Sequence, residues 1–309
     1  MPSEQMQAVL DRLWQRRRSD TQPVSLSAAR ADFSPAGEIH RIPDDVRVTD
    51  VSSDGVATHW LDAPGSAPDR ALLFLHGGGY QFGSLASDGE LAARLGRACG
   101  MRVLFPEYRL APEHPFPAAI DDVRTVWSWL RRQRGLASVA VVGDSAGGGL
   151  AVALLVALRD SGEDLPVAAV LLSPTVDLTS SGRSMIERVR QDPISTPALL
   201  KRLAADYLDG ADPTTPLASP LFASLVGLPP LLIEVGTADL LLSDSERLAA
   251  AARKAGVSVL LHVGEGLPHV YPLMAGTPEA TEATNRIADF LITRSAGRAA
   301  PRGAHAPEE

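Results

Sequence analysis

The chain predicts an α/β fold: a mostly parallel, eight-stranded sheet with helices on both faces and a small helical cap. Two observations carry this. From Arg70 onward, short apolar runs of β-forming residues alternate with segments of helical apolar spacing, the rhythm of strands buried on both faces and linked by crossover helices. One interval, Asp177 to Pro229, breaks that rhythm with Ser, Pro and Asp clusters and a single helical patch. It is too long for a loop with no structure of its own, so it reads as an inserted cap.

Each element follows from its local pattern. Met6, Val9, Leu10, Leu13 and Trp14 recur at helical spacing, which predicts an amphipathic helix over residues 3–18. Residues 47–51 and 56–61 read as strands around the hairpin turn Ser53-Asp54-Gly55, giving the sheet a mixed edge. Strand ALLFL (71–75) precedes a loop and the helix GELAARLGRAC (89–99). Strand RVLFP (102–106) precedes a Pro-rich loop and the helix AAIDDVRTVWSWLRRQ (118–133). Strand SVAVVG (138–143) runs directly into an Ala/Leu-rich helix, and VAAVLLS (167–173) is the next strand. The interval that follows holds the helical patch TPALLKRLAADYL (196–208). Strand PLLIEVG (230–236), helix SERLAAAARKAG (245–256), strand SVLLHV (258–263) and a helix over about 278–293 complete the series. The tail, 297–309, is Ala/Gly/Pro-rich without apolar periodicity and is expected to be disordered.

Composition excludes several classes of function. The 309 residues suffice for a large α/β domain with at most a small addition, and 45% of them are apolar. No apolar run approaches the roughly 20 residues that span a bilayer, and the N-terminus lacks the apolar core of a secretory signal. A net charge of −8 argues against a nucleic-acid surface, and the basic run Arg16–Arg18 reads as a solvated helix end. A single cysteine, Cys99, rules out an intrachain disulfide framework and leaves thiolate metal sites without support. The expectation is a cytoplasmic protein with no nucleic acid or stable membrane partner and no metal or organic cofactor; whether it forms a homodimer stays open.

In an open α/β sheet, ligands bind beyond the carboxyl ends of the strands, and reactive residues collect at those ends here. Ser145 lies in Gly143-Asp144-Ser145-Ala146-Gly147, between a buried strand and a buried helix. As a helix N-cap it would need no special neighbours. As the centre of a G-x-S-x-G nucleophile elbow it would sit on a strained turn between small residues. Directly after ALLFL comes His76-Gly77-Gly78-Gly79, whose bare N–H groups could form an oxyanion hole with the N–H of Ala146. His76 itself reads as a structural partner of that loop. Asp239 follows PLLIEVG by three residues. Its competitor Asp244 falls in Ser243-Asp244-Ser245-Glu246, a capping-box spacing that assigns it to the first turn of a helix. Of the seven histidines, His269 lies in the Gly/Pro-bounded loop GEGLPHVYP beyond SVLLHV, whereas His262 lies within the strand. The order Ser145, Asp239, His269 is the triad order of α/β-hydrolases. Asp144, beside the nucleophile, is expected to point away from the oxyanion and fix a neighbouring loop.

HGGG at 76–79, YRLAPEHPFPAA at 108–119, GDSAGG at 143–148, SPTVDL at 173–178 and the Asp239/His269 pair resemble the hormone-sensitive-lipase-like family of α/β-hydrolases, in its bacterial GDSAG subgroup. The resemblance runs from about Arg70 to the last helix. It implies a hydrolase core of residues 46–177 and 226–296, and a cap built from residues 1–45 and 178–225. Val270-Tyr271, where many relatives have Gly-Phe, and Glu107, where many have Asp, depart from the pattern without removing a catalytic group. The reading is a serine carboxylesterase acting on short-to-medium-chain acyl esters through an acyl-enzyme, with Ser145, Asp239 and His269 catalytic and Gly77, Gly78, Gly79 and Ala146 as oxyanion donors. Two rivals remain. An amide hydrolase, such as a deacetylase of a small natural product, would use the same triad; a non-catalytic binding protein on this fold is disfavoured because Ser145 and His269 both stand.

Overall fold

The computed structural model describes residues 1–19, 25–33 and 41–296, so the tail expected at 297–309 lies outside the described residues, as does part of the segment 1–45. Eight strands form one sheet: β1 (Arg47–Ser53), β2 (Val56–Asp62), β3 (Ala67–Leu75), β4 (Met101–Pro106), β5 (Ser138–Asp144), β6 (Ala169–Leu172), β7 (Leu231–Ala238) and β8 (Val259–Pro268). Their spatial order is β1-β2-β4-β3-β5-β6-β7-β8. The hairpin β1–β2 and the β2–β4 pair are antiparallel; every other pairing is parallel.

The central strands are apolar throughout because both faces are covered. Period-2 alternation sends Ala71, Leu73 and Leu75 of β3, with Val139 and Val141 of β5, into one core, which they share with α4 (Ala118–Arg131) and α5 (Ala146–Asp160). Leu72, Phe74, Ala140 and Val142 face the opposite core, beside α3 (Leu85–Cys99) and α9 (Pro278–Ala296). Helix α8 (Leu242–Lys254) packs with the first group through Leu248, Ala249 and Ala252.

Helix α3 begins four residues earlier than its apolar spacing indicates. Ser84 caps it: its side chain accepts from Ala86 N while Ser87 Oγ accepts from the Ser84 N–H, closing a reciprocal box with Ser where Glu is usual. The N-terminal helix α1 (Glu4–Ser19) buries Met6 and Leu10 against Leu267, Tyr271 and Ala283. Ser3 fastens its start to the Glu279 carboxylate, donating from N at 2.6 Å and from Oγ at 2.8 Å. A short helix α2 (Leu26–Phe33), which has no clear apolar period, is anchored by Arg30 to the carbonyls of Gln81 and Ala111 and to Glu113. Between β6 and β7 the chain forms α6 (Ser184–Glu187), α7 (Pro197–Leu208) and a 3-10 turn at Pro220–Phe222. Thr196 caps α7 by accepting from Leu199 N, and Pro197 occupies its first turn.

The far end of the sheet decides the geometry of the site. Strand β8 continues to Pro268, five residues beyond the apolar run, and stays paired with β7 through a register shift that sets Ala238 opposite Pro268. Gly236 permits this: a Cβ there would stand 1.9 Å from the Leu267 carbonyl oxygen. The next residue of each strand, Asp239 and His269, therefore emerges side by side.

Candidate active site

Four connections leave the carboxyl ends of parallel strands at the same edge: His76 after β3, Ser145 after β5, Asp239 after β7 and His269 after β8. Ser145 turns the chain from β5 into α5 with φ 51° and ψ −117°, a strained conformation for a side chain with a Cβ. It makes no side-chain cap bond, so helix capping does not explain it. The backbone around it holds the turn: Ser145 N donates to Leu172 O at 2.8 Å, and Ser145 O accepts from Thr175 N at 2.9 Å.

Ser145 Oγ lies 2.9 Å from His269 Nε2, and His269 Nδ1 lies 3.0 and 3.2 Å from the two carboxylate oxygens of Asp239. Asp239 is fully buried and also accepts from Leu241 N at 2.8 Å. Burial opposes protonation of His269, but the Asp239 charge and hydrogen bond, helped by the Asp192 charge, outweigh it and raise the imidazole above its ordinary value.

Beside the serine, His76 is buried and stacked on Tyr108 with ring centroids 4.2 Å apart. Its Nδ1–H donates to Gly77 O at 2.9 Å, and Tyr108 OH donates to His76 O at 2.7 Å. Burial depresses this imidazole to about 4, leaving it neutral and structural. Gly78 takes φ 105° and its carbonyl accepts from both Gln81 N and Phe82 N, a tight turn that follows the glycine run. The Asp144 carboxylate packs against the glycine loop: a Cβ on Gly77 would stand 2.1 Å from its Oδ2. Burial first, and the Asp88 charge second, hold that carboxyl well above its ordinary range.

Asp244 differs from the capping-box expectation. Helix α8 has Leu241 at its N-cap position with no side-chain cap bond, and Ser243 Oγ instead accepts from Ser184 N. The Asp244 carboxylate ties down the segment after β6 by accepting from Val176 N and Asp177 N at 3.1 Å each, and it pairs with Arg247. Its position in the first helical turn is as expected; its partners are tertiary. Asp192, to which the sequence drew no attention, is buried behind Asp239 and accepts from Leu240 N at 2.9 Å. His262 stands within β8, as its alternation implies. An open concavity of about 690 Å³ lined by Arg41, Ile42, His59, Leu85 and Glu107 lies beside β1 and β2, and neither Ser145 nor His269 borders it.

Residues 72–273 match the family described as alpha/beta hydrolase fold. An acetyl-hydrolase from Streptomyces hygroscopicus is 39% identical over 295 residues, covering 94% of this chain and 96% of its own. An esterase from Acinetobacter venetianus is 34% identical over 252 residues, 80% of this chain and 82% of its own. The crystal structure of an esterase from the bacterial hormone-sensitive lipase family superposes with a TM-score of 0.90 at 39% identity, covering 96% of this chain and 99% of that one. The chain belongs to the α/β-hydrolase family, within the hormone-sensitive-lipase-like esterases. It is a carboxylic ester hydrolase. Among the described residues no helix is long and apolar enough to cross a membrane.

Proposed function

We propose that the chain is a serine carboxylesterase of short-to-medium acyl esters. The observation that carries this is the unbroken line from Ser145 Oγ through His269 to the buried Asp239 carboxylate, at 2.9 and 3.0 Å. His269 Nε2 takes the Ser145 proton as Oγ adds to the ester carbonyl carbon. Asp239 holds Nδ1–H and stabilises the imidazolium. The oxyanion is assigned to the N–H groups of the glycine loop, Gly77, Gly78 and Gly79, together with that of Ala146. The imidazolium then returns its proton to the leaving alcohol, giving an acyl-Ser145. A water, deprotonated by the same nitrogen, releases the acid and regenerates the serine.

We assign residues 1–45 and 178–225 to a cap over the strand ends. In support, Leu203 of α7 packs against Gly79, where a Cβ would stand 2.6 Å from its Cδ1, and Phe33 of α2 stacks on Phe82 at 5.3 Å. The name of the relative from Streptomyces hygroscopicus, acetyl-hydrolase, supports acetyl as the acyl group. A structure 37% identical, with a TM-score of 0.90 and covering 95% of this chain and 99% of its own, comes from esterase crystals soaked in p-nitrophenyl butyrate.

The test is turnover of p-nitrophenyl acetate by wild type and Ser145→Ala, with a panel of acetamides alongside. Wild type should be inactivated by a serine-directed phosphonate, and the variant should keep less than about a thousandth of the rate while remaining folded. A folded variant with more activity than that overturns the nucleophile; faster turnover of acetamides than of acetate esters replaces the esterase reading with that of an amide hydrolase.

A further inference from the structure

Behind Asp239 lies a second carboxylate that the triad does not require. Asp192 belongs to the segment between β6 and β7 and is fully buried. All its acceptors face backbone donors: Oδ1 accepts from Ile194 N at 2.7 Å and Ser195 N at 2.8 Å, and Oδ2 accepts from Leu240 N at 2.9 Å. Leu240 follows Asp239 directly, and Leu241 N in turn donates to Asp239 Oδ1. Among the described residues, burial first and the Asp239 charge second raise the Asp192 carboxyl above its ordinary value, while His269 and the N–H donors of Ser195 and Leu240 act to lower it; the charges that act on His269 are those of Asp239 and Asp192. Two buried carboxylates beside each other repel, and burying either is costly unless hydrogen bonds and an opposite charge offset it. Three N–H donors supply the first. The second exists only when His269 is protonated, the state formed at the transition state of acyl transfer.

Resting on the triad reading above, we propose that Asp192 is a positioning residue of the acid–base arm. It clamps the backbone next to Asp239 and adds a second negative charge that stabilises the His269 imidazolium. The segment that we assign to the cap thereby contributes directly to the basicity of the general base.

The sign of the effect is definite. A negative charge near the imidazole favours its protonated form, so removing Asp192 lowers the His269 pKa. The acid limb of kcat/KM then moves to lower pH, while kcat at the optimum falls because the imidazolium of the transition state loses support. The experiment is the pH profile of p-nitrophenyl acetate hydrolysis by the full chain as wild type, Asp192→Asn, Asp192→Ser and Ser145→Ala, with near-ultraviolet circular dichroism to report folding. Expected for either Asp192 variant is an acid-limb midpoint lower by about half to one pH unit, kcat reduced about tenfold and KM changed by less than about threefold. A folded variant whose acid limb stays at the wild-type pH overturns the proposal, whatever its rate. So does failure of both Asp192 variants to fold under conditions where Asp239→Asn folds, since Asp192 is then a structural residue. Ser145→Ala separates the two readings: activity persisting there removes the triad itself, whereas an inactive Ser145→Ala beside an unmoved acid limb removes only the role of Asp192.

Discussion

Gly147, in the first turn of α5, presses against the end of β3: a Cβ on it would stand 2.0 Å from the Leu75 carbonyl oxygen and 2.4 Å from that of His76. The helix that starts at Ser145 is thereby driven onto the backbone from which the His76–Gly79 loop springs. The last glycine of G-x-S-x-G is thus a matter of close approach, and it brings the Ala146 N–H toward the glycine run. Gly147→Ala must push apart two rigid backbones rather than a side chain. The expected cost is about 3 kcal/mol, with activity falling more steeply than stability. Chemical denaturation with an unchanged midpoint would show that the contact is softer than its geometry implies.

Activity should rise with pH through a midpoint above the ordinary histidine value of about 6.5, because Asp239 and Asp192 hold the His269 proton more tightly in the folded chain. The same shift sets a stability term. A group whose folded pKa is raised contributes stability that is fully present below about 6.5 and is lost as pH rises through the folded value. Stopped-flow or steady-state kcat/KM from pH 5 to 9 locates the midpoint; one below 6.5, or no acid limb, would contradict the electrostatics.

A buried ion pair secures the loop that carries His269. Glu234 of β7 is fully buried; it takes Arg286 of α9 at 2.7 Å and accepts from the hydroxyl of Tyr271, two residues after the histidine. Arg286→Ala strands the carboxylate in the core and should cost about 3 kcal/mol. Tyr271→Phe removes one hydrogen bond and should cost about 1 kcal/mol. Equal costs in urea unfolding would argue against the ion pair as the main tether.

The α/β class was legible in the sequence, and the sequence alone singles out Ser145, Asp239 and His269, because both rest on local signals. Apolar runs such as ALLFL and PLLIEVG read as buried strands wherever they occur, and Ser145 and His269 lie in loops just beyond such runs. Other features depend on partners distant in sequence. Nothing local in GEGLP shows that β8 extends to Pro268, since the extension depends on Gly236 admitting the Leu267 carbonyl. Ser243-Asp244-Ser245-Glu246 has the spacing of a capping box, yet Ser243 bonds to Ser184 and Asp244 to Val176 and Asp177, 59 to 68 residues away. Asp192 reads as an ordinary Asp-Pro turn until the fold sets it beneath Leu240, 48 residues on.

Val270 follows His269 in a left-handed conformation, φ 46°, although it is β-branched and buried. Ser173 Oγ accepts its N–H at 3.0 Å and helps hold it there. At an ordinary buried site Val→Gly costs more than Val→Ala, because glycine adds backbone entropy to the same lost packing. Here the order should invert, with Val270→Gly about 1 kcal/mol more stable than Val270→Ala. Guanidinium unfolding of the pair decides it: a less stable glycine variant would mean that the turn stores no strain.

Acyl-chain preference tests how the site is enclosed. Leu203 of α7 closes over Gly79, so a helix from the segment we assign to the cap stands directly on the proposed oxyanion loop. Each methylene of an acyl chain buried in that space adds about 0.8 kcal/mol of binding, until the chain meets the wall. The helices around the strand ends are short: α2 has 8 residues and α7 has 12, with no long apolar lid among the described residues. A bounded pocket of this kind should give a maximum in kcat/KM between acetyl and roughly octanoyl esters, with a fall for longer chains. If Leu203 is part of the wall, Leu203→Ala opens space for about three carbons and should move the maximum toward longer chains without abolishing turnover of acetate. The measurement is kcat/KM across p-nitrophenyl esters from acetate to palmitate for both proteins, with triglyceride added through its solubility limit. A wild-type maximum at palmitate and a jump in rate as the emulsion forms would mean that the site docks on an oil–water interface, and the bounded pocket would be abandoned. An unmoved maximum in Leu203→Ala would place the wall elsewhere.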